Sequence, residues 1–248
     1  MSRYGSREWF EAAYRQTARD PWGLTWRPTQ LYRYNVMASE LDRCISARHL
    51  AVDSVVDVGC ATGDFLNLLA ESLPHGRQRR LIGADLSGTA IDRARSRYPH
   101  LEFWISGLDA LPQQLAAPAD LVCCLEVLYY LAAEDRPRAL VTLRSILRPG
   151  GLLLVSSMTG AAPYMDYQQL CALVGQEFHI VAAAGLNLWP LVSLEKLALR
   201  TRLSPKFELS RFRPGRTGFE VMRRLARCCG ALLGKRAQSH AYVIATPR

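Results

Sequence analysis

The chain has 248 residues, of which 49% are hydrophobic and 21% charged, and its formal net charge is +9. This length is sufficient for one α/β domain with additions and for a substantial core. No apolar run reaches about 18 residues, which excludes a membrane-spanning helix, and the seven cysteines have no spacing typical of a metal site. The N-terminus lacks the apolar stretch of a signal peptide, so we expect a cytoplasmic protein.

Residues 1–50 form an aromatic-rich segment that precedes the first strand predicted for the core. Helical spacing predicts a short helix over 6–19 and a longer one over 28–49. Asp20-Pro21-Trp22-Gly23 is the turn between them. The segment therefore adds two helices ahead of the core.

The stretch 54–70, SVVDVGCATGDFLNLLA, is the most informative part of the chain. An apolar strand, 55–58, leads into a turn with Gly59 and Gly63, after which helical spacing begins. Strand, glycine turn and helix in this order open a nucleotide-binding crevice in doubly wound α/β sheets. We expect the two glycines to permit the sharp bend and to leave room for a ligand.

Two carboxylates accompany this turn. Asp57 stands two residues before Gly59, and Asp85 ends the next predicted strand, where a carboxylate can accept both hydroxyls of a ribose. The turn has the spacing G-x-A-x-G, whereas dinucleotide enzymes need G-x-G-x-x-G to place a pyrophosphate at the helix N-terminus. An acid beside the turn would attract a cationic ligand and repel the negative charge of a pyrophosphate.

The sequence Asp57-Val-Gly-Cys-Ala-Thr-Gly63 resembles motif I of the class I S-adenosylmethionine-dependent methyltransferases. The resemblance implies an α/β fold with a seven-stranded, doubly wound, Rossmann-like sheet, and S-adenosyl-L-methionine as the cofactor. It also implies that Asp57 lies close to the methionine ammonium and that Asp85 binds the ribose. Ala61 stands where the family usually has glycine.

Further stretches match the same family in the same order. Residues 106–112 follow the third predicted strand and imply an adenine-binding acid at Asp109, which on its own can also be a turn or N-cap residue. Residues 120–125 are a buried fourth strand, and Arg148-Pro-Gly-Gly151 precedes the next strand, 152–157. The cofactor-binding residues that the resemblance implies are Asp57, Gly59, Ala61, Gly63, Asp85, Leu86, Leu108, Asp109, Ala110 and Leu125.

The first half of the chain also resembles one branch of small-molecule methyltransferases, which includes the nodulation protein S group of chitooligosaccharide N-methyltransferases. Phe and Tyr at 10 and 14, DPWG at 20–23 and EVLYYL at 126–131 carry this resemblance. Where the branch often has a Tyr-Glu pair and a Lys, this chain has YRYN at 32–35.

Within this family we expect residues 1–50 to act as a lid that shields the reacting sulfonium from water. Tyr14, Trp22 and Tyr32 are the side chains that it is predicted to bring to the acceptor. The alternative is that the aromatics only fix the two helices to the sheet. The rest of the chain, 51–248, is the predicted methyltransferase core.

Methyl transfer from a sulfonium is an in-line displacement, so the enzyme mainly holds the acceptor atom beside the methyl carbon and excludes water. Glu126 follows the fourth strand at the carboxyl edge of the sheet, with Tyr129 and Tyr130 one turn further on. We predict that Glu126 and Tyr129 orient a nitrogen or oxygen acceptor and that Tyr130 contacts it. Glu126 can alternatively be a first-turn acid that favours a helix dipole. A non-catalytic binding protein is a second alternative, which the intact Asp57 disfavours.

A basic insertion separates the sixth strand from the last. Residues 185–248 hold thirteen Lys and Arg and three Glu, a net charge of +10 that accounts for the whole excess. Within the insertion, 185–238, two amphipathic helices are predicted over 190–203 and 217–233. The strand that follows, 239–246, is expected at the antiparallel edge of the sheet.

The basic loop 210–216 lies between these two helices, and Arg211 and Arg213 are its predicted acceptor contacts. The insertion has three interpretations: it binds an anionic acceptor such as a phosphorylated or lipid-linked sugar, it contacts the inner face of a membrane, or it is a solvated cap. Methylation of RNA is a further alternative, since Lys and Arg clusters bind phosphate backbones. No RNA-binding module is visible in the sequence, which disfavours it.

Overall fold

A computed structural model describes residues 3–17, 20–24, 27–73, 79–186, 188–200 and 216–248. The strands are β1 Ser54–Val58, β2 Arg80–Asp85, β3 Glu102–Ile105, β4 Ala119–Leu125, β5 Leu147–Met158, β6 Phe178–Leu186 and β7 His240–Pro247. They form one seven-stranded sheet in the order β3-β2-β1-β4-β5-β7-β6. This confirms the predicted seven-stranded, doubly wound sheet.

Helices precede, connect and extend the strands. Their bounds are α1 Arg7–Arg15, α2 Pro28–Ala47, α3 Asp64–Ser72, α4 Gly88–Arg97, α5 Leu111–Gln114, α6 Arg136–Ser145, α7 Tyr167–Val174, α8 Trp189–Arg200 and α9 Arg216–Leu233. Short 3₁₀ turns follow β3 at Leu108–Ala110 and β4 at Leu128–Tyr130. Across the parts of the chain that the structure describes, no helix is both long and apolar enough to cross a bilayer.

Strands β1 to β5 run parallel to one another, while β7 runs antiparallel to β5 and β6. The prediction that the last strand is an edge strand is wrong, because β7 lies between β5 and β6. Ala241 to Ala245 are all buried, as an apolar strand covered on both faces requires. The edge is β6, where Ile180 is 42% exposed.

Two apolar layers flank the sheet because successive residues of each strand point to opposite faces. On one face, Leu121 and Cys123 of β4 pack with α2, α3 and α4. On the other face, Val122 and Cys124 pack with α6 and α7. The helices on both faces leave the carboxyl ends of β1, β2 and β4 side by side, since Asp57 pairs with Gly83 on one side and Cys123 on the other.

Candidate functional site

The turn after β1 brings together the residues predicted to bind the cofactor. Gly59 and Gly63 have φ values of +72° and +80°, so both positions need the left-handed backbone that glycine adopts freely. Ala61 between them has φ +52°, a conformation that costs a residue with a Cβ about 1 kcal/mol. The Ala61 amide donates to Asp85 Oδ2 at 3.0 Å, and this hydrogen bond fixes the turn against the end of β2.

Protein side chains occupy the space beside the two glycines. A Cβ on Gly59 would lie 2.3 Å from Val127 Cγ2, and a Cβ on Gly63 would lie 2.6 Å from Cζ of Phe103. Val127 and Phe103 therefore fill the space that a Cβ would take, and the expectation that these glycines also leave room for a ligand stays a prediction. They permit the bend, and they allow Val127 and Phe103 to pack against it.

Asp57 is a buried carboxylate on the face of the sheet that α2 and α3 cover, with 2% of its surface exposed. Burial, with a smaller contribution from the nearby Asp85 carboxylate, raises the pKa of Asp57 from its ordinary value to about 8. Among the described residues none donates a hydrogen bond to it. A cation stabilises the charged form of such a group, so Asp57 fits the ammonium of the implied cofactor.

Asp85 keeps hydrogen-bonding capacity after its contacts within the protein are counted. Oδ1 accepts from the Ser87 amide at 2.9 Å and Oδ2 accepts from the Ala61 amide at 3.0 Å. A carboxylate oxygen has a second lone pair, so each oxygen can accept one more hydrogen bond. Two such acceptors fit the two hydroxyls of a ribose. Burial also raises the pKa of Asp85.

The loops after β2 and β3 lie side by side. The Ser106 amide donates to the Asp85 carbonyl at 3.0 Å, and the Leu86 side chain lies 3.2 Å from the position of a Cβ on Gly107. In the next turn Leu108 is half-buried, whereas Asp109 and Ala110 are exposed. Leu125 is buried at the end of β4. The predicted cofactor residues thus meet along one edge of the sheet.

Glu126 directly follows β4 and is held in an unusual position. Its φ is +60°, and its Oε1 accepts hydrogen bonds from Arg33 Nη1 at 2.6 Å and from Ser156 Oγ at 2.7 Å. Its other carboxylate oxygen, Oε2, is buried and has no partner among the described residues. Arg33 is 1% exposed, so α2 supplies a buried cation to this edge of the sheet.

An aromatic cluster covers the turn that follows Glu126. Tyr129 is buried, and its ring centroid lies 4.6 Å from that of Tyr130. Tyr130 contacts Phe10 of α1 at 4.8 Å, and the Trp9 ring stacks on Trp22 at 5.6 Å. The structure therefore brings Trp22 and Tyr130 together with Tyr129, close to Glu126. Burial, with a smaller effect of Glu126, raises the pKa of Tyr129 well above its ordinary value.

The other two predicted lid aromatics are enclosed. The Tyr14 hydroxyl accepts from Trp22 Nε1 at 3.2 Å, and its ring packs with Ala61 and Ala90. Tyr14 therefore lies against the cofactor turn. Tyr32 is buried in α2 on the side where α9 approaches, since Arg223 acts on the pKa of its hydroxyl, which burial raises.

Helix α1 is attached to the start of α4. Glu11 accepts hydrogen bonds from Ser87 Oγ at 2.7 Å and from Thr89 Oγ1 at 2.5 Å. These bonds, of which that from Thr89 has the largest effect, lower the pKa of Glu11 to about 2. Arg93 of α4 donates in return to the Tyr14 carbonyl at 2.7 Å. The N-terminal helix is thereby held beside Asp85.

The insertion is joined to the N-terminal segment through α8. Glu195 accepts from the Thr29 amide at 2.7 Å and from Arg27 Nε at 3.1 Å. It therefore caps the first turn of α2, because the side chain of the N-cap residue, Arg27, accepts no hydrogen bond from the helix backbone. The predicted acceptor contacts Arg211 and Arg213 lie outside the described residues. No group of metal-ligating side chains occurs within those that are described.

The sheet order with an inserted antiparallel β7, and the carboxylate-flanked turn after β1, define a class I S-adenosylmethionine-dependent methyltransferase fold. Residues 55–151 match the family model described as a methyltransferase domain. Residues 55–151 therefore form a methyltransferase domain, and S-adenosylmethionine is the cofactor of this class of fold.

Two relatives illustrate the similarity. The chain is 33% identical over 137 residues to trans-aconitate 2-methyltransferase of Deinococcus radiodurans. This alignment covers 53% of this chain and 49% of that protein. It is 29% identical over 145 residues to nodulation protein S of Azorhizobium caulinodans. This second alignment covers 58% of this chain and 65% of the relative. The chain thus spans about half to two-thirds of the length of these curated relatives.

Solved structures share the fold over a greater length. The N-methyltransferase NodS from Bradyrhizobium japonicum WM9, in complex with S-adenosyl-L-homocysteine, superposes with a TM-score of 0.64 at 19% identity and 99% coverage of both chains. Magnesium protoporphyrin IX methyltransferase from Synechocystis PCC 6803, with bound S-adenosylmethionine, gives a TM-score of 0.59 at 14% identity, with 98% of this chain and 97% of that one covered.

Sequence reasoning missed Arg33, Ser156 and Glu11. Arg33 had a signal, because it shares a helical face with Met37 and Leu41, where an apolar residue is expected. A charged residue on a buried face needs a partner of opposite charge. Ser156 and Glu11 had no such signal, since their partners are distant in the chain.

Proposed function

We propose that this protein transfers a methyl group from S-adenosylmethionine to a nitrogen or oxygen atom of a small-molecule or glycan acceptor, at an atom that carries a hydrogen. When bound, S-adenosylmethionine supplies an electrophilic methyl group on a sulfonium. The chain's residues then need to hold the acceptor in line and to exclude water. The aromatic cluster of Trp22, Tyr129 and Tyr130 is suited to the second task.

A single observation supports this class of acceptor. Glu126 Oε2 is buried and without a partner among the described residues, while Oε1 is already occupied by Arg33 and Ser156. An N–H or O–H that donates to Oε2 would orient the acceptor atom, whose lone pair remains available for the displacement. A carboxylate acceptor would instead place two like charges together. Glu126 therefore favours an amine or a hydroxyl.

The names of the relatives include both a carboxylic acid acceptor and a nitrogen acceptor. One is a trans-aconitate methyltransferase, whose acceptor is an acid, and NodS is described as an N-methyltransferase. Their similarity to this chain does not decide between them, so our choice depends on Glu126. Tyr129, which lies beside Glu126 and is held neutral by burial, would add a hydroxyl that can donate to or accept from the acceptor.

The basic insertion is the part of the chain to which we assign an anionic portion of the acceptor, such as the phosphate of a phosphorylated or lipid-linked sugar. Its net charge of +10 over 185–248 supports this assignment, and Arg211 and Arg213 remain the predicted contacts. A lipid-linked acceptor would be held at a bilayer, so peripheral contact of 185–238 with a membrane surface belongs to the same proposal.

The test compares three acceptors by the release of S-adenosylhomocysteine. Glucosamine oligomers with a free terminal amine, their fully acetylated counterparts and trans-aconitate would be assayed with the wild type and with Glu126→Gln. We expect turnover of the oligomers, and in Glu126→Gln a kcat lowered by about 10²-fold with cofactor affinity unchanged. Glu134→Gln, an exposed acid in the same connection, is the matched control. A higher kcat/KM for trans-aconitate than for either oligomer would refute the proposed acceptor class.

A further inference from the structure

Exposed apolar side chains are concentrated on the two helices of the insertion. Among the described residues, twelve large hydrophobic side chains are exposed, and seven of them lie on α8 and α9. Leu232 is 83% exposed and Leu194 is 62% exposed. An apolar surface of this kind marks a site of interaction with a protein or a membrane.

The exposed residues of α9 form a single stripe. Val221, Leu225, Cys228 and Leu232 follow one another at helical spacing, and all four are exposed. We call these four residues the outer stripe. Ala226, which lies about a third of a turn or more from them, packs against the main core. The outer stripe therefore points away from the body of the protein.

Arg224 borders the outer stripe, because at helical spacing it lies beside Val221 and Cys228. Arg223 and Arg227 are also exposed but lie further round the helix, and in the described part of the helix Glu220 is the only acid, which pairs with Arg223. The sequence of α9 contains four Arg and one Glu. An apolar stripe on an arginine-rich helix is the pattern of a helix that lies in the interface of an anionic bilayer, with its apolar face in the acyl boundary and its cations at the headgroups.

Trp189 extends this surface. It is 42% exposed at the start of α8, and it lines a groove of about 530 Å³ together with Arg236, which follows α9. Tryptophan and arginine are the residues that occupy the level of the headgroups at membrane surfaces. The start of α8 and the residues after α9 thus carry side chains of the types found at the headgroup level of a membrane.

We propose that the outer stripe of α9 docks on an anionic lipid surface, with Arg224 beside the stripe and Arg236 after the helix at the headgroups. A second copy of the chain fits this face less well, because two facing α9 helices would bring their arginines together. The proposal narrows the membrane contact of the proposed function to one helix face. The opposite side of α9 packs through Ala226 on the core cluster that contains Tyr32 of α2, and α2 carries Arg33 to Glu126.

Co-flotation with vesicles tests this docking on the full chain. Vesicles of phosphatidylglycerol and phosphatidylcholine in equal parts would be compared with vesicles of phosphatidylcholine alone. We expect at least about tenfold stronger binding to the anionic vesicles, and weaker binding as salt is raised. Leu225→Gln combined with Leu232→Gln should reduce binding by about tenfold or more, and so should Arg224→Gln combined with Arg236→Gln.

The matched controls are Val141→Gln and Arg138→Gln, which change exposed residues of α6 on the body of the protein and should leave vesicle binding unchanged. Equal binding to both kinds of vesicle, or equal loss in the α6 controls, would overturn the proposal. The proposal would also be overturned if the wild type sedimented as a dimer and bound no vesicles, and if the double variant Leu225→Gln, Leu232→Gln sedimented as a monomer. Calorimetric cofactor binding and acceptor turnover, measured on the same variants without vesicles, report separately on the proposed function.

Discussion

Arg33 of α2 and Glu126 after β4 form an ion pair at 2.6 Å, in which the Arg33 side chain is 1% exposed and that of Glu126 15%. Ser156 of β5 donates to the same carboxylate oxygen, so the pair joins the N-terminal segment to two strands of the sheet. Because the Glu126 backbone is in the left-handed region, its position depends on these partners. Arg33 of the N-terminal segment therefore helps to fix the position of Glu126, the residue predicted to orient the acceptor.

Replacing Arg33 by methionine should destabilise the fold strongly. The substitution leaves the Glu126 carboxylate largely buried without its cation, which costs about 3–5 kcal/mol in comparable pairs. Urea unfolding measures this change. Arg43→Met is the matched control on the same helix, because Arg43 is 71% exposed in its pair with Glu40 and exposed pairs contribute less than about 1 kcal/mol. Equal losses in the two variants would show that the buried pair has no special role.

The stability of the cofactor-free protein should fall as the pH rises from about 4 to about 8, because of Asp57. Its pKa is raised from 3.8 to about 8 in the folded protein. Between these values the unfolded chain has lost the proton that the folded chain still binds, so the free energy of unfolding decreases with pH. In Asp57→Asn most of this slope should be absent when urea unfolding is repeated at several pH values.

Asp92→Asn is the control for that experiment, since its side chain is 74% exposed and its substitution should leave the slope unchanged. Asp85 also has a raised pKa, so part of the slope persists in Asp57→Asn. A full wild-type slope in Asp57→Asn would mean that Asp57 is already ionised in the folded protein.

Much of the fold was predictable from the sequence because β1, β2 and β4 read as apolar runs that end at a glycine or an acid. The exception is β7, whose pattern predicted a strand but gave no information about its neighbours. Its place between β5 and β6 follows from pairing, and Ala241, Val243 and Ala245 pack equally well at an edge covered by a helix and in the middle of a sheet. Local pattern determines the element, and long-range pairing determines its place.

The cofactor edge was more predictable than the acceptor edge for a related reason. Gly59 and Gly63 are required by backbone geometry, and Asp57 and Asp85 lie at the carboxyl ends of two consecutive strands beside them. The partners of Glu126 come from positions 33 and 156, and those of Glu195 from 27 and 29. These side-chain pairs are separated by 30 to 168 residues, and pairs so far apart have no spacing that a sequence can display.

Replacing Asp85 by alanine should weaken cofactor binding by at least about hundredfold, because hydrogen bonds from two hydroxyls to a charged group contribute about 1.5–3 kcal/mol each. Titration calorimetry with S-adenosylhomocysteine measures this affinity. Asp109→Ala provides the comparison, since Asp109 is exposed and its predicted contact is with the adenine alone. We expect a smaller loss there, and an unchanged affinity in Asp85→Ala would remove the ribose assignment.

Glu11→Gln should loosen α1 from the start of α4 and leave the sheet intact. The carboxylate of Glu11 accepts from Ser87 and from both the amide and the hydroxyl of Thr89, and an amide cannot replace all of these as an acceptor. Amide hydrogen exchange in α1 should accelerate by about tenfold, which corresponds to the loss of one to two net hydrogen bonds. The same contacts lower the pKa of Glu11 to about 2, so in the wild type their stabilisation should be complete above about pH 4.5 and should be lost as the pH falls towards 2.

The control is Glu8→Gln, which changes an exposed acid on the same helix and should leave hydrogen exchange in α1 unchanged. If both variants accelerated exchange equally, the attachment of α1 would depend on the aromatic cluster, because Trp9 and Phe10 would then be its main contacts.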